Sequence, residues 1–255
     1  MSSAPPEPPP NRWSVPPGWT LVYHEITGST NDDARAAARV GARGRKVFLA
    51  DEQSAGRGRY GRSWVAPASS CLLFSLLLKE SLSPVDCTVV ASVAVAETIA
   101  EETELPARIK WPNDVMIGQR KVCGILTEVV AFGDRMAIVV GIGLNVNLDL
   151  ATAGLPATAT SLAAELGRPV SRSLLFDLVL RRLDALLAIE PARLVPMVRA
   201  RWESLLWRHS QLVRLSDGAD VVEGTVEGLA ASGALLLRLA NGATREISTG
   251  ELLLE

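Results

Sequence analysis

The sequence is short of the residues that most hydrolytic and metal chemistry needs. It has two histidines, His24 and His209, and three cysteines, Cys71, Cys87 and Cys123, with no CxxC spacing. No zinc or di-histidine centre can be assembled from that set, and an odd number of thiols without a framework fits a reducing, cytoplasmic setting. Neither histidine lies near a Gly-x-Ser-x-Gly elbow and the cysteines have apolar neighbours, which disfavours covalent hydrolase chemistry. Positive charge is missing in bulk as well. With 26 Lys plus Arg against 28 Asp plus Glu, the net charge is -2, which disfavours a DNA-binding or scaffold module held by counterion release. Any recognition of phosphate must therefore be local. Long apolar runs are absent: Cys71 to Leu78 and Met136 to Ile142 fall far short of the ~20 residues that cross a bilayer, so no membrane partner is expected. Met1 to Pro10 holds five prolines, no basic residue and no apolar stretch. It is neither a secretory signal nor the start of a fold, and residues 1–18 are expected to form a disordered tail. Lysine is the last scarcity. Only Lys46, Lys79, Lys110 and Lys121 stand against 22 arginines.

What is present reads as a globular chain. Hydrophobic residues make up 48% and charged residues 21% of 255 positions, enough for one large domain with a small appendage. Leu21 to Ile26 reads as a strand. Ser29 or Thr30 then caps an alanine-rich helix to Val40, with Asp32 and Asp33 at its positive end. Lys46 to Glu52 reads as a strand, followed by a loop rich in Gly and Arg over Ser54 to Trp64. Cys71 to Lys79 is apolar without alternation, as in a strand covered on both faces. Ser83 and Pro84 start a helix to Glu104 whose Val85, Val89, Val93 and Ile99 are spaced to bury one stripe. Strand signals resume at Arg108 and continue through Val115 to Ile117, Lys121 to Phe132 and Met136 to Val146. Turns at Gly118 to Arg120 and at Gly133 and Asp134 make these an antiparallel meander, so the sheet is mixed. Residues 159–206 read as helical, with Leu175, Val179, Leu183, Leu186 and Leu187 on the apolar face. From Gln211 the period drops to two. Turns at Asp217-Gly218, Ser232-Gly233 and Asn241-Gly242 predict a small antiparallel barrel that must dock on the larger domain.

Three stretches could carry chemistry. Gly56-Arg57-Gly58-Arg59-Tyr60-Gly61-Arg62-Ser63-Trp64 combines glycines, which let the backbone approach a ligand, with forked donors for carboxylate or phosphate oxygens. It is neither a Walker loop nor a dinucleotide fingerprint; an anion site and a solvated arginine loop both fit its composition. Lys110-Trp111-Pro112-Asn113-Asp114 and Lys121-Val122-Cys123-Gly124-Ile125-Leu126 use lysine at both basic positions, although lysine is rare here. A compact ammonium fits between two oxygens where a planar guanidinium does not, as at a reacting carboxylate and phosphate. Two fortuitous strand-end lysines are the competing reading. Gly141 to Asn147 places glycines in a strand, which marks a bulge or the close approach of a ligand or another backbone.

Taken together, Gly-Ser-Thr-Asn at 28–31, Gln53 before GRGRYGRSW at 56–64, KWPNDV at 110–115, KVCGILTE at 121–128 and GIGLNVN at 141–147 resemble, in order and spacing, the biotin protein ligases. The resemblance implies an α/β (α+β) fold: a mixed, mainly antiparallel sheet flanked by helices, like class II aminoacyl-tRNA synthetases, over residues 19–208. An SH3-like barrel would follow over 209–255. It implies that biotin is activated with Mg·ATP to biotinyl-5′-AMP and transferred to one lysine of a carrier domain of an acyl-CoA or pyruvate carboxylase. Around biotin it implies Ser29, Thr30, Asn31 and Gln53, with Gly56, Arg57, Gly58 and Arg59 closing over the ring and Gly124 beside it. Around ATP it implies Arg59, Arg62 and Trp64, with Asn113, Asp114 and Asn145 near adenine, ribose or metal. Lys121 would bridge the biotin carboxylate and the α-phosphate and, with Arg59, form the catalytic pair. Mg2+ is the implied cofactor, its ligands undefined beyond a place near Asp114.

This agrees with the residues themselves, since joining a carboxylate to an α-phosphate brings two anions together and needs converging cations. Some family members carry an N-terminal winged helix. Only about twenty residues precede the first strand here, so the short, enzyme-only type without a DNA partner is expected. Cys123 departs from the family's Lys-x-Ala-Gly pattern, and a small thiol should fit there. The alternative is a lipoate or octanoate ligase of the same superfamily, which lacks the full pairing of GRGR-x-GR-x-W with KWPND.

Overall fold

The computed structural model describes residues 13–78, 82–132, 135–151, 156–216 and 220–253. Residues 1–12 of the expected tail, Lys79, and the turns at Gly133-Asp134 and Asp217-Gly218 lie outside them. The remainder of that tail is placed against the fold: Trp13 packs edge-on against Phe176, ring centroids 5.4 Å apart.

β1 (Trp19–Thr27) and β2 (Arg45–Gln53) run parallel, joined by α1 (Thr30–Arg39). Every other pairing in this sheet is antiparallel. β3 (Cys71–Leu78) follows, then α2 (Pro84–Thr103), and a meander of β4 (Ala107–Lys110), β5 (Asp114–Ile117), β6 (Arg120–Phe132) and β7 (Arg135–Asn145). The spatial order is β1-β2-β3-β7-β6-β5-β4, so β7 returns to pair with β3 at the centre. All eight residues of β3 are buried because both faces are covered. Leu72, Phe74, Leu76 and Leu78 join the main core, while Leu77 packs under α1 with Ala34 and Ala38. The alanines let α1 lie close to the sheet.

α2 begins as the sequence indicates. Ser83 Oγ accepts from the Asp86 N–H at 3.1 Å, and Pro84 opens the first turn. Its burial is not a single stripe, however. The helix lies between the sheet and two later helices and is buried nearly all round, while Val85 in its first turn is exposed. The segment 159–206 is also not one helix. It divides into α3 (Leu162–Leu166), α4 (Arg172–Leu187) and α5 (Pro191–Ser204), the first closed by Gly167 at φ +66°, where glycine carries no Cβ penalty. The apolar face expected on this segment is buried on α4.

A second sheet is antiparallel throughout: β8 (Leu212–Ser216), β9 (Val221–Leu229), β10 (Leu235–Arg238), β11 (Thr244–Ile247) and β12 (Glu251–Leu252), in the order β11-β10-β9-β8-β12. Its inward residues Val213, Leu215, Val226, Leu235 and Leu237 belong to the same core as Trp202, Trp207 and α2. The small sheet is therefore docked rather than tethered. No helix among the described residues is long and apolar enough to cross a membrane.

Candidate active site

The face of the large sheet opposite α2 carries a cavity of about 150 Å3. The N-terminus of α1, the end of β2, the arginine loop, and strands β4 to β7 all contribute to its wall. Ser29 occupies the N-cap position of α1, yet its hydroxyl makes no capping bond and lines the cavity instead. Beside it, Gln53 Oε1 accepts from the Thr30 N–H at 2.7 Å and from the Thr30 hydroxyl at 3.0 Å. Ser75, the single hydroxyl in an otherwise apolar strand, donates to Asn31 Oδ1 at 2.6 Å and is 2.7 Å from Thr30 Oγ1. Asn31 donates in turn to Glu128 at 2.7 Å. At this end of the cavity the uncharged Thr30, Asn31, Gln53 and Ser75 form a hydrogen-bonded chain anchored on the Glu128 carboxylate, which rigidifies the side chains facing the ligand space.

The opposite end is charged. The loop folds on itself, with Gly58 N–H donating to Arg62 C=O at 2.7 Å and Trp64 N–H donating to Gly56 C=O at 2.8 Å. Each arginine then reaches a different element. Arg57 pairs with Asp32 at 2.9 Å and Glu128 at 2.8 Å; Arg59 donates to Asn113 Oδ1 at 3.0 Å; Arg62 meets Glu251 at 2.6 Å. The Arg62 guanidinium holds the Glu251 carboxyl below its ordinary value of 4.5. Lys121 Nζ lies 2.7 Å from Asp114 and 5.4 Å from the Trp64 ring. Its backbone is clamped on both sides, donating to Thr158 C=O at 2.7 Å and accepting from Thr160 N–H at 2.8 Å.

The strand glycines explain how Trp64 enters. Gly124 of β6 and Gly143 of β7 are cross-strand partners. A Cβ on Gly143 would stand 2.7 Å from the indole and one on Gly124 2.9 Å from it, so the pair forms a bare patch on which the ring lies. Gly141 does the same for Asn31, whose Oδ1 would meet an added Cβ at 2.1 Å. The close approach expected of these glycines is thus made by side chains, not by another backbone.

Ser29, Thr30, Asn31, Gln53, Arg57, Gly58, Arg59, Arg62, Trp64, Asn113, Asp114, Lys121 and Gly124 are brought together around the cavity. Two residues from the sequence reading are not. Gly56 sits at the loop base, where a Cβ would strike Trp64 C=O at 2.5 Å, so it serves the hairpin's closure. Asn145 is buried, donating to Thr160 C=O at 2.9 Å and accepting from Cys71 Sγ at 3.4 Å. Cys123 points into the core while Gly124 faces the cavity, so the thiol leaves the site's shape unchanged. Sequence reasoning missed Glu251; it marked Lys110 with Lys121 as a compact ammonium suited to oxyanions, although the family resemblance gave Lys110 no place, and both Glu251 and Lys110 are on the cavity wall. Nothing local marks Glu251, 189 residues from its partner. Ser75 was detectable as the one polar residue in its strand.

Comparison with known proteins settles the family. Residues 26–145 match the Biotin/lipoate A/B protein ligase family, and residues 211–254 match the Biotin protein ligase C terminal domain. The chain is 34% identical over 248 residues to the biotin--[acetyl-CoA-carboxylase] ligase of Mycobacterium tuberculosis, covering 92% of this chain and 89% of that protein. The chain belongs to the biotin protein ligase family. Among solved structures of biotin protein ligases, the one from Aquifex aeolicus in complex with biotin and ATP superposes with a TM-score of 0.77 at 30% identity, covering 92% and 98% of the two chains. The bifunctional ligase/repressor BirA of Bacillus subtilis is 38% identical over 134 residues, covering 51% of this chain. The chain spans 41% to 60% of the length of the BirA relatives it matches. Biotin protein ligase membership also accounts for the pairing of a mixed sheet with a small antiparallel one.

Proposed function

We propose that the chain activates biotin with ATP to biotinyl-5′-AMP and transfers biotin to a lysine of a carboxyl carrier domain of an acyl-CoA or pyruvate carboxylase. The observation that carries this reading is one cavity with a hydrogen-bonded end of serine, threonine and amide groups and a cationic end, in a chain that matches biotin protein ligases in both of its parts. The C-terminal match favours it over a lipoate or octanoate ligase, because that match is to a biotin protein ligase module. Residues 19–208 would form the catalytic unit and 209–255 the smaller one, acting in the cytoplasm.

In this reading Ser29, Thr30, Asn31 and Gln53 take the ring and ureido head of biotin. Donors and acceptors fixed by one another suit a cyclic urea, which offers two N–H groups and one carbonyl. Arg57, Gly58 and Arg59 cover it, Trp64 offers a face and an unpartnered indole N–H to the nucleotide, and Arg62 and Asn113 stand near it. A carboxylate oxygen of biotin attacks the α-phosphorus and pyrophosphate departs. Lys121 and Arg59 lie where both reacting anions must be neutralised, Lys121 releasing Asp114 to do so. The residues fit nucleotide-borne Mg2+ rather than a resident metal: no cluster of three metal-binding side chains occurs among the described residues, while Asp114 and Glu251 supply the one or two carboxylates that a phosphate-bound Mg2+ uses. When bound, the ion would offset charge on the phosphates.

The test is direct. Purified protein, biotin, Mg·ATP and a recombinant carrier domain should yield pyrophosphate and a biotinylated lysine; octanoate or lipoate in place of biotin should not react. Acceptance of lipoate with refusal of biotin would reverse the assignment.

A further inference from the structure

Five cationic side chains line the cavity, and four of them have a side-chain oxygen partner: Arg57 has Asp32 and Glu128, Arg59 has Asn113, Arg62 has Glu251 and Lys121 has Asp114. Lys110, at the end of β4, lines the same cavity and is only 4% exposed. Among the described residues no oxygen forms a hydrogen bond or ion pair with its ammonium; its nearest aromatic partner is the Trp207 ring, 5.9 Å from Nζ. The side chain is buried along its length and opens only onto the cavity, and a largely buried cation without an anion is costly. Burial accordingly pushes Lys110 below the ordinary lysine value, Asp114 and Glu251 draw it up, and Lys121 and Arg62 push it down. The two carboxylates that could serve it are each held by another cation.

We propose that Lys110 is the site's contact for the β- and γ-phosphates of ATP, the pyrophosphate that leaves on adenylation. This rests on the ligase reading and extends it to a residue that reading does not use. The occupant must be anionic, must reach a point beside Lys121 and Arg62, and must arrive with the substrate, because no side chain among the described residues supplies it. A nucleotide triphosphate meets all three requirements. In the step itself a biotin carboxylate oxygen bonds to the α-phosphorus while that phosphorus loses its bond to the α,β-bridging oxygen, whose electron pair departs with pyrophosphate. Lys110 stays protonated throughout and offsets the charge gathering on the leaving oxygens. The head group is a compact point charge with three donors rather than a planar fork, in a chain that otherwise prefers arginine.

The experiment separates the two half-reactions in Lys110→Met and Lys110→Gln. Pyrophosphate formation from ATP and biotin should fall about a hundredfold in kcat/KM for ATP. Biotin affinity by calorimetry, and transfer from preformed biotinyl-5′-AMP to the carrier domain, should stay within about twofold, because that intermediate has no β- or γ-phosphate. Equal losses in both half-reactions would place Lys110 on the α-phosphate or in the scaffold and overturn the proposal. Unchanged ATP use would overturn it as well. Loss of biotin binding in both variants would make Lys110 a structural cation and so defeat the proposal too. Wild-type protein that releases no pyrophosphate from biotin and ATP would instead strike the ligase reading itself.

Discussion

At Gly143 the absence of one carbon decides where an indole can lie. Gly143→Ala puts a Cβ 2.7 Å from the Trp64 ring, closer than packed atoms tolerate, and the ring must lift from the sheet. The expected result is a KM for ATP raised roughly tenfold, about 1.4 kcal/mol, with biotin affinity little changed because the Thr30–Gln53–Ser75 network is held by its own hydrogen bonds and not by the indole. Fluorescence of the nucleotide-bound state and initial rates read both quantities; an unaltered KM would show that Trp64 does not face the nucleotide. Lys121 poses the related question of shape against charge. Its ammonium is wedged between Asp114 at 2.7 Å and the bare backbone of Gly124, whose added Cβ would lie 3.0 Å from Nζ. Lys121→Arg keeps the charge but adds bulk in that gap, so adenylation should fall by most of its value while the melting curve stays near wild type. Near-normal pyrophosphate release by this variant would remove Lys121 from the reacting centre.

Among the elements, the arginine loop has the least core to hold it and the most ionic ties. None of its residues from Arg59 to Gly61 is buried, and its position comes from Arg57, Arg59 and Arg62 reaching α1, β6, the β4–β5 turn and β12. Such exposed pairs are individually weak and respond to pH and salt. The Arg62–Glu251 pair gives a signed prediction. The folded-state value of Glu251 is lowered, first by the hydrogen bond from Arg62, so its contribution is complete above the unfolded carboxyl value near 4.5 and is lost as pH falls through the lowered value. Denaturant melts should therefore show wild type more stable than Glu251→Gln at about pH 6, with the gap closing towards about pH 3. A gap that persists unchanged into acid would mean that the carboxylate charge is not what holds the pair.

For the molecule as a whole, the two sheets share one core. Trp202 and Trp207 of the large unit are buried against Val213, Val226 and Leu235 of the small one, and each side chain so covered is worth roughly 1.5–3 kcal/mol. The small sheet also supplies Glu251 to the cavity and, through Gly233 C=O, accepts the Trp111 indole N–H at 3.1 Å. Truncation after Ser210 should consequently lower the melting temperature and impair ATP use and transfer more than biotin binding. Circular dichroism must first show that the shortened chain folds, since the exposed indoles could unfold it. A folded truncation that adenylates biotin and modifies the carrier at the intact rate would make the small sheet dispensable.

Much of this could be read before any fold was known. Period-two and apolar-run patterns placed most strands, because a strand's two faces are written in adjacent residues, and Ser83-Pro84 marked the start of α2 because capping is a local bond. The motifs at 28–31, 53–64, 110–115 and 121–128 named nearly every residue that lines the cavity, since each ligand contact is carried by a short segment with its own chemistry. What the sequence could not decide was mutual position. The all-round burial of α2 depends on α4 and α5 packing over it, the structural duty of Gly56 and Asn145 on partners across the fold, and the ion pair of Glu251 on the docking of a second sheet. Those facts belong to contacts between segments far apart in the chain, and local pattern carries no information about which distant surface will cover a given side chain. Lys110 shows the division most sharply: its rarity was visible in the composition, but only the folded arrangement put it on the cavity wall with no oxygen partner among the described residues.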